Sequence, residues 1–260
     1  MSREKSVEKN PLEVLNIFPV KNWEYPRILV AILVERCLSD ADKILKPFMD
    51  LARTGVDYVV PPYGRTDIVR NKLGLTVLST DYTHILMLDN DHIHPSDIIH
   101  KLARWILLAK TEEEEPLVIG GLNFTRMPPF YPCAFIKPEG QKKFLPITKY
   151  KRGLIPVDAV GTGSILISRR VFEKFQPPWF FNIYDEVAYD NWPGEDIGFS
   201  MRCRENGIQS WVDTTVSSPH VTATVVTEEV SMRALTGIAK DVDFVSVEDI
   251  EARTLENAKS

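Results

Sequence analysis

Apolar residues in the first half of the chain gather into short runs, separated by stretches with helical spacing. RILVAILVE (Arg27 to Glu35) is continuous and rich in Ile and Val, as a strand buried on both faces requires. Asp40 is placed to cap a helix through about Arg53, which Gly55 ends. VDYVVPP (Val56 to Pro62) predicts a second strand, stopped by its proline pair. Helical spacing returns from Arg65 to Ser79, and HILMLD (His84 to Asp89) supplies a third strand. Pro95 and Ser96 open a helix that runs to Lys110, the acidic stretch Glu112 to Glu115 follows, and PLVIGG forms a fourth strand. Strands alternating with helices imply βαβ units, hence an α/β fold with a mostly parallel central sheet flanked by helices.

The second half is patterned differently. Phe124 to Asp158 carries many prolines and scattered aromatics, which predicts hairpins and loops. Beyond it come a strand at GSILISRR, a helix from Arg170 to Phe175 and the aromatic loop QPPWFFNIYDEVAYDNWPG. A helix from Glu195 to Asn206 ended by Gly207, a strand at IQSWVD and an acidic helical tail complete the series. No internal repeat is present. The pattern predicts one domain over residues 1–260, with a regular half at about 27–122, an irregular half at about 123–225 and a tail at 226–260.

Composition narrows the class. A chain of 260 residues with 44% hydrophobic residues can bury a large core. Its net charge of −5 gives no basic field, which disfavours a nucleic-acid partner. The longest unbroken apolar run, Ile28 to Val34, is too short to cross a bilayer, and MSREKSVEKN lacks the apolar core of a secretory signal. Cys37, Cys133 and Cys203 are odd in number and far apart, which fits separate thiols in a reducing compartment. These features predict a cytoplasmic protein without integral membrane contact.

Candidate chemistry starts at the end of the third strand, where Asp89-Asn90-Asp91 sets two carboxylates one residue apart. Like charges repel, so such a pair calls for a counter-cation, and its oxygens suit Mg²⁺ or Mn²⁺. The alternative is a turn or helix cap. Glu195 and Asp196 follow Trp192-Pro193-Gly194 and open a helix, where the macrodipole favours negative charge. Ordinary capping explains them, but an aromatic plate and a tight turn directly before two acids also suit a carbohydrate surface and a general base. His220, in VSSPHVTA, is a lone loop histidine that could complete a metal shell. His92, beside Asp91, is expected to point away from it, and His94 to sit at the helix start.

Taken in order, LMLDNDHIHPSDI, AVGTGSILISRRVFEKF, GEDIGFSMRCRENG and WVDTTVSSPH resemble a glycosyltransferase of the Rossmann-like GT-A fold, most like family 2, over roughly Arg27 to His220. The resemblance implies that Asp89 and Asp91 hold Mn²⁺ or Mg²⁺ and the diphosphate of a UDP- or GDP-sugar, with His220 completing the metal shell. It implies that Asp196 is the base, with Glu195 as neighbour or substitute, and that Gly161, Thr162 and Gly163 lie beneath donor sugar and acceptor. GRTDIVRNKL resembles the helix before the metal strand, which gives Arg65, Arg70 and Asn71, with Asn90, to the nucleotide; a solvated helix face is the alternative. Trp192 and Gly194 fall to the acceptor side, and aromatics from Trp179 to Trp192 to stacking on sugars. Two departures leave the base unassigned: the second strand ends VVPPYG with Asp57 at its start, and the first ends VERCLSD. The implied reaction is inverting transfer to an acceptor hydroxyl through an oxocarbenium-like state. Its rivals are a retaining transferase, a non-catalytic nucleotide-sugar or carbohydrate-binding protein and a metal-dependent phosphohydrolase.

Overall fold

The computed structural model describes residues 20, 23–34, 48–141, 143–183, 194–221 and 225–238. The regular half runs β1 (Ile28–Leu33), β2 (Asp57–Val59), α1 (Thr66–Leu78), β3 (His84–Asp89), α2 (Ile98–Leu108) and β4 (Val118–Leu122). Four short strands fill the proline-rich stretch: β5 (Ala134–Ile136), β6 (Leu145–Pro146), β7 (Leu154–Val157) and β8 (Ala159–Val160). Then come β9 (Ser164–Ser168), α3 (Arg169–Lys174), α4 (Glu195–Glu205), β10 (Ser210–Ser217), β11 (His220–Val221), β12 (Val225–Val226) and α5 (Glu228–Ile238).

Seven strands form the main sheet in the order β2-β1-β3-β9-β4-β10-β7. The β1–β2, β1–β3 and β4–β10 pairs are parallel, while β9 runs antiparallel to both neighbours and β7 antiparallel to β10. The sheet is therefore mostly parallel, and the fold is α/β and Rossmann-like. Two smaller sheets, β6-β5-β8 and β11-β12, belong to the irregular half.

All six residues of β3 are buried, and the period-2 alternation of a strand divides them between two cores. Ile85 and Met87 pack with Val69, Leu73 and Val77 of α1, Phe172 of α3 and Phe199 of α4. Leu86 and Leu88 pack with Ile98, Leu102 and Ile106 of α2 on the opposite face. Each such side chain contributes about 1.5–3 kcal/mol on burial, so β3 is firmly anchored and its end a rigid place for a site.

The expected elements are present with shifted ends. The GSILISRR strand stops at Ser168, whose hydroxyl accepts from the Arg170 N–H and caps α3, so Arg169 and Arg170 begin a helix. The IQSWVD strand starts at Ser210 and extends to Ser217 through a register shift after Asp213. The start of the Asp40-capped helix and the tail beyond residue 238 lie outside the described residues.

Candidate active site

Asp89 closes β3 at the carboxyl end of the parallel strands, where open α/β sheets bind ligands. Its N–H donates to Gly163 O (3.0 Å), and the Asn90 N–H donates to Leu33 O (3.0 Å). The chain then turns and is laced to the segment after β10: Ile93 N–H donates to Pro219 O (2.9 Å) and Val221 N–H to Asp91 O (2.8 Å). His92 and His220 face each other as a β-bridge, so main-chain bonds alone bring Asp91, His92 and His220 together.

Their side chains form one cluster, with candidate ligand atoms all within 4.8 Å of one another. His92 Nδ1 lies 2.8 Å from Asp91 Oδ1, and His220 Nε2 lies 3.2 Å from Asp91 Oδ2. The two imidazoles stack, centroids 4.2 Å apart. His220 Nδ1 is 2.9 Å from Phe124 O, and because a carbonyl only accepts, Nδ1 carries the proton. A metal-ligating histidine shows the same arrangement. Burial works against ionising Asp91, but the polar contacts of the His220 and His92 rings beside it outweigh that and hold the carboxyl well below the usual range. Burial lowers the His92 pKa and keeps that ring neutral, as ligation requires. One carboxylate and two imidazoles are a donor set that fits a divalent transition ion.

A second cluster lies on the α1 side. Arg70, 1% exposed, donates through Nη2 to both carboxylate oxygens of Asp89 (2.9 and 3.0 Å) and through Nε to Glu195 Oε1 (3.4 Å). Asp196, half-buried on the first turn of α4, accepts from the Ile197 N–H (2.7 Å). Desolvation, and then the charge of Glu195, push its pKa up to about 6. A Cβ on Gly194 would meet Asp196 Oδ1 at 3.0 Å, so any larger residue before α4 would press on this carboxylate.

The Gly161-Thr162-Gly163 run links the two clusters. Gly161 N–H donates to Cys133 O (2.7 Å), Thr162 is buried, and a Cβ on Gly163 would stand 2.8 Å from His92 Nε2. Asn90 is buried at the strand end. Arg65, at the exposed start of α1, pairs with Asp67 (2.7 Å).

Several expectations are corrected. Asn71 does not face a nucleotide: Nδ2 donates to Asp67 O and Phe180 O, and Oδ1 accepts from Trp179 N and Phe180 N, which uses its full capacity. Trp179 is no sugar plate. It is 1% exposed, edge-on to Phe172, and donates from Nε1 to Phe175 O. His92 turns toward Asp91 instead of away. Burial pushes His94 down to about 3, and this neutral ring donates to Asp89 O (2.8 Å) and accepts from Ser218, bracing the strand end. Trp192 lies outside the described residues.

Sequence reasoning missed Arg126, in NFTRMPPFYP. Its guanidinium donates from Nε to His220 Nε2 (2.7 Å) and from Nη2 to Asp91 Oδ2. The available signal was position: Arg126 follows closely on the carboxyl end of β4, at the same end of the sheet as Asp89.

No family model and no curated protein matches the chain. Among solved structures it is similar to A197 from STIV, with a TM-score of 0.50 and 16% identity over 78% of this chain and 91% of that one. It is also similar, more distantly, to GalNAc-T7 with UDP, GalNAc and Mn²⁺ (TM-score 0.44, 11% identity, 82% of this chain and 48% of that one). A third match is CMP:2-keto-3-deoxy-manno-octonic acid synthetase complexed with CTP (0.43, 10%, 83% and 100%). At 16% identity the likeness to A197 is one of fold alone. No helix among the described residues is long and apolar enough to cross a membrane.

Proposed function

We propose that this protein is a metal-dependent glycosyltransferase of the GT-A type, moving a sugar from a nucleotide diphospho-sugar to an acceptor hydroxyl with inversion. The observation that carries the reading is the meeting, at one end of the sheet, of a cation-fitting cluster and a separate carboxylate whose pKa is raised toward neutrality. Asp91, His92 and His220 would hold the cation, with His92 in the place expected for Asp89, whose carboxylate accepts from Arg70, and the cation would supply Lewis-acid stabilisation of charge on a leaving diphosphate. Two imidazoles beside one carboxylate favour Mn²⁺ over Mg²⁺, which prefers oxygen ligands.

Asp196 serves as the base, taking the acceptor hydroxyl proton as that oxygen attacks the anomeric carbon. A carboxylate with a pKa near 6 is ionised at neutral pH yet basic enough to share the proton in the transition state. Arg70 fixes Asp89 and Glu195 on either side of the reaction space. A hollow lined by Leu33, Val34, Pro61, Pro62, Tyr63 and Gly64, at the carboxyl ends of β1 and β2, suits the flat face of a nucleobase. Gly161 to Gly163 offer main chain to the sugar and acceptor.

The test is donor consumption with product analysis. Wild-type protein with Mn²⁺ and the right donor should release nucleoside diphosphate and give a product of inverted configuration by NMR. Asp91→Ala should lose both turnover and metal-dependent nucleotide binding. Donor binding without turnover would identify a binding protein, and release of inorganic phosphate a phosphohydrolase.

A further inference from the structure

His220 has one lone pair to offer at Nε2, because its Nδ1 proton is committed to Phe124 O. Arg126 takes that lone pair with Nε at 2.7 Å and reaches the adjacent Asp91 Oδ2 with Nη2. A nitrogen with one lone pair cannot accept a hydrogen bond and ligate a metal at once. The guanidinium and a divalent ion thus compete for the same two atoms, and their like charges exclude close co-residence.

We propose that Arg126 is a displaceable internal cation of the Asp91–His220 pair, which a divalent metal has to expel before it binds. The inference rests on reading Asp91, His92 and His220 as a metal site. Arg126 suits the task because its side chain is 31% exposed while those of Asp91 and His220 are 8% and 9% exposed, so it enters from solvent and can withdraw there. Its backbone is fastened, which leaves rotation of the side chain as the route out. Thr125 N–H donates to Tyr131 O (2.9 Å) and Phe130 N–H to Met127 O (2.9 Å) across the turn. Phe130 sits at φ 59°, and the buried Ser231 of α5 donates to its carbonyl (2.5 Å). The fork of an arginine, with Nε and Nη2 side by side, matches an imidazole nitrogen and a carboxylate oxygen 3.2 Å apart. The arginine offsets the charge of Asp91 inside the buried cluster.

The experiment is a Mn²⁺ titration of the full chain, following free Mn²⁺ by electron paramagnetic resonance, on wild type, Arg126→Gln and Arg126→Lys. Thermal unfolding in chelator and in Mn²⁺ runs alongside. Removing a charged competitor at two ligand atoms should tighten Mn²⁺ binding in Arg126→Gln by at least about tenfold. The same variant should unfold at a lower temperature than wild type in chelator and gain more from Mn²⁺. Arg126→Lys keeps the charge but loses the fork and should fall between. If Arg126→Gln does not fold, Arg126→Lys carries the test and must bind more tightly than wild type. Mn²⁺ binding by wild type that is as tight as, or tighter than, binding by both variants overturns the displacement and leaves the metal site standing. An absence of Mn²⁺ binding in all three overturns the metal-site reading itself.

Discussion

Asp91 and Asp196 are two acids at one end of the same sheet, and their surroundings drive them apart. Asp91 is held ionised by the histidines around it, against its own burial. Asp196 loses solvent and faces Glu195, which raises it to about 6. Such divergence is how neighbouring carboxylates acquire different roles. As the base, Asp196 should make the transfer rate rise with pH about a midpoint near 6, and Asp196→Asn should lower the rate by roughly 10²–10⁴ while leaving donor binding intact. The same shift has a sign in stability. Because the folded pKa exceeds the unfolded one, the native state holds the extra proton between about 4 and about 6, and stability falls as pH rises through that window. Allowing for partial solvent access, the penalty above pH 6 is roughly 2 kcal/mol. Asp196→Asn should therefore be more stable than wild type near pH 8 and nearly equal to it near pH 4 in denaturant unfolding; the reverse order would show that the carboxylate is not destabilised by its site. Gly163 is tested differently. A methyl there would stand 2.7 Å from His92 Cε1, and His92 is stacked against His220 and has no easy retreat. Gly163→Ala should lower Mn²⁺ affinity about 10–100-fold, measured by titration, and destabilise by about 1–3 kcal/mol.

At the scale of elements, the site depends on a tie between α1 and the end of β3. Arg70, which is buried, brings a guanidinium to Asp89 and Glu195, and so joins three elements at one point. Arg70→Ala should cost about 3–5 kcal/mol in urea unfolding, because it leaves Asp89 buried without this counter-charge. The double variant Arg70→Met, Asp89→Leu should regain much of that loss while remaining inactive. A loss under 1 kcal/mol in the single variant would mean that the pair adds little to the fold. The element positions were legible in the sequence because burial leaves a pattern, as in the unbroken apolar run of β3 and the helical spacing of α1. Strand direction leaves none. β9 is a five-residue apolar strand buried at every position, and SILIS looks the same running either way, so its antiparallel insertion between β3 and β4 was not readable. The misplacement of His92 has a similar cause. Adjacent residues point apart only while a strand continues, and here the chain turns at Asn90 and Asp91, which brings both side chains to one side. Arg126 and Asn71 were misjudged because their partners lie far off in sequence, at His220 and Phe180, and no local pattern records them.

For the whole molecule, the sheet places an apolar hollow beside β1 and β2 and a charged cluster beside β3, and the proposed donor would span both. That arrangement predicts coupled stabilisation. A nucleotide alone gains only the hollow, and a metal alone has to displace Arg126, whereas together the metal binds both protein and diphosphate. Thermal unfolding against UDP-, GDP-, dTDP- and CMP-sugars, each with Mn²⁺, Mg²⁺ or chelator, should give one nucleotide class that stabilises strongly with Mn²⁺, weakly with Mg²⁺ and least in chelator. At a hundred times its dissociation constant such a ligand adds about 2.7 kcal/mol, a rise of roughly 5–10 °C for a chain of this size. Stabilisation of equal size with Mg²⁺ would count against the two imidazoles as ligands, since Mg²⁺ gains little from nitrogen donors. Stabilisation that ignores metal would leave a nucleotide site in which Arg126 itself is the cation facing the diphosphate. No response to any donor, with or without metal, would leave the Rossmann-like fold without a nucleotide-sugar site.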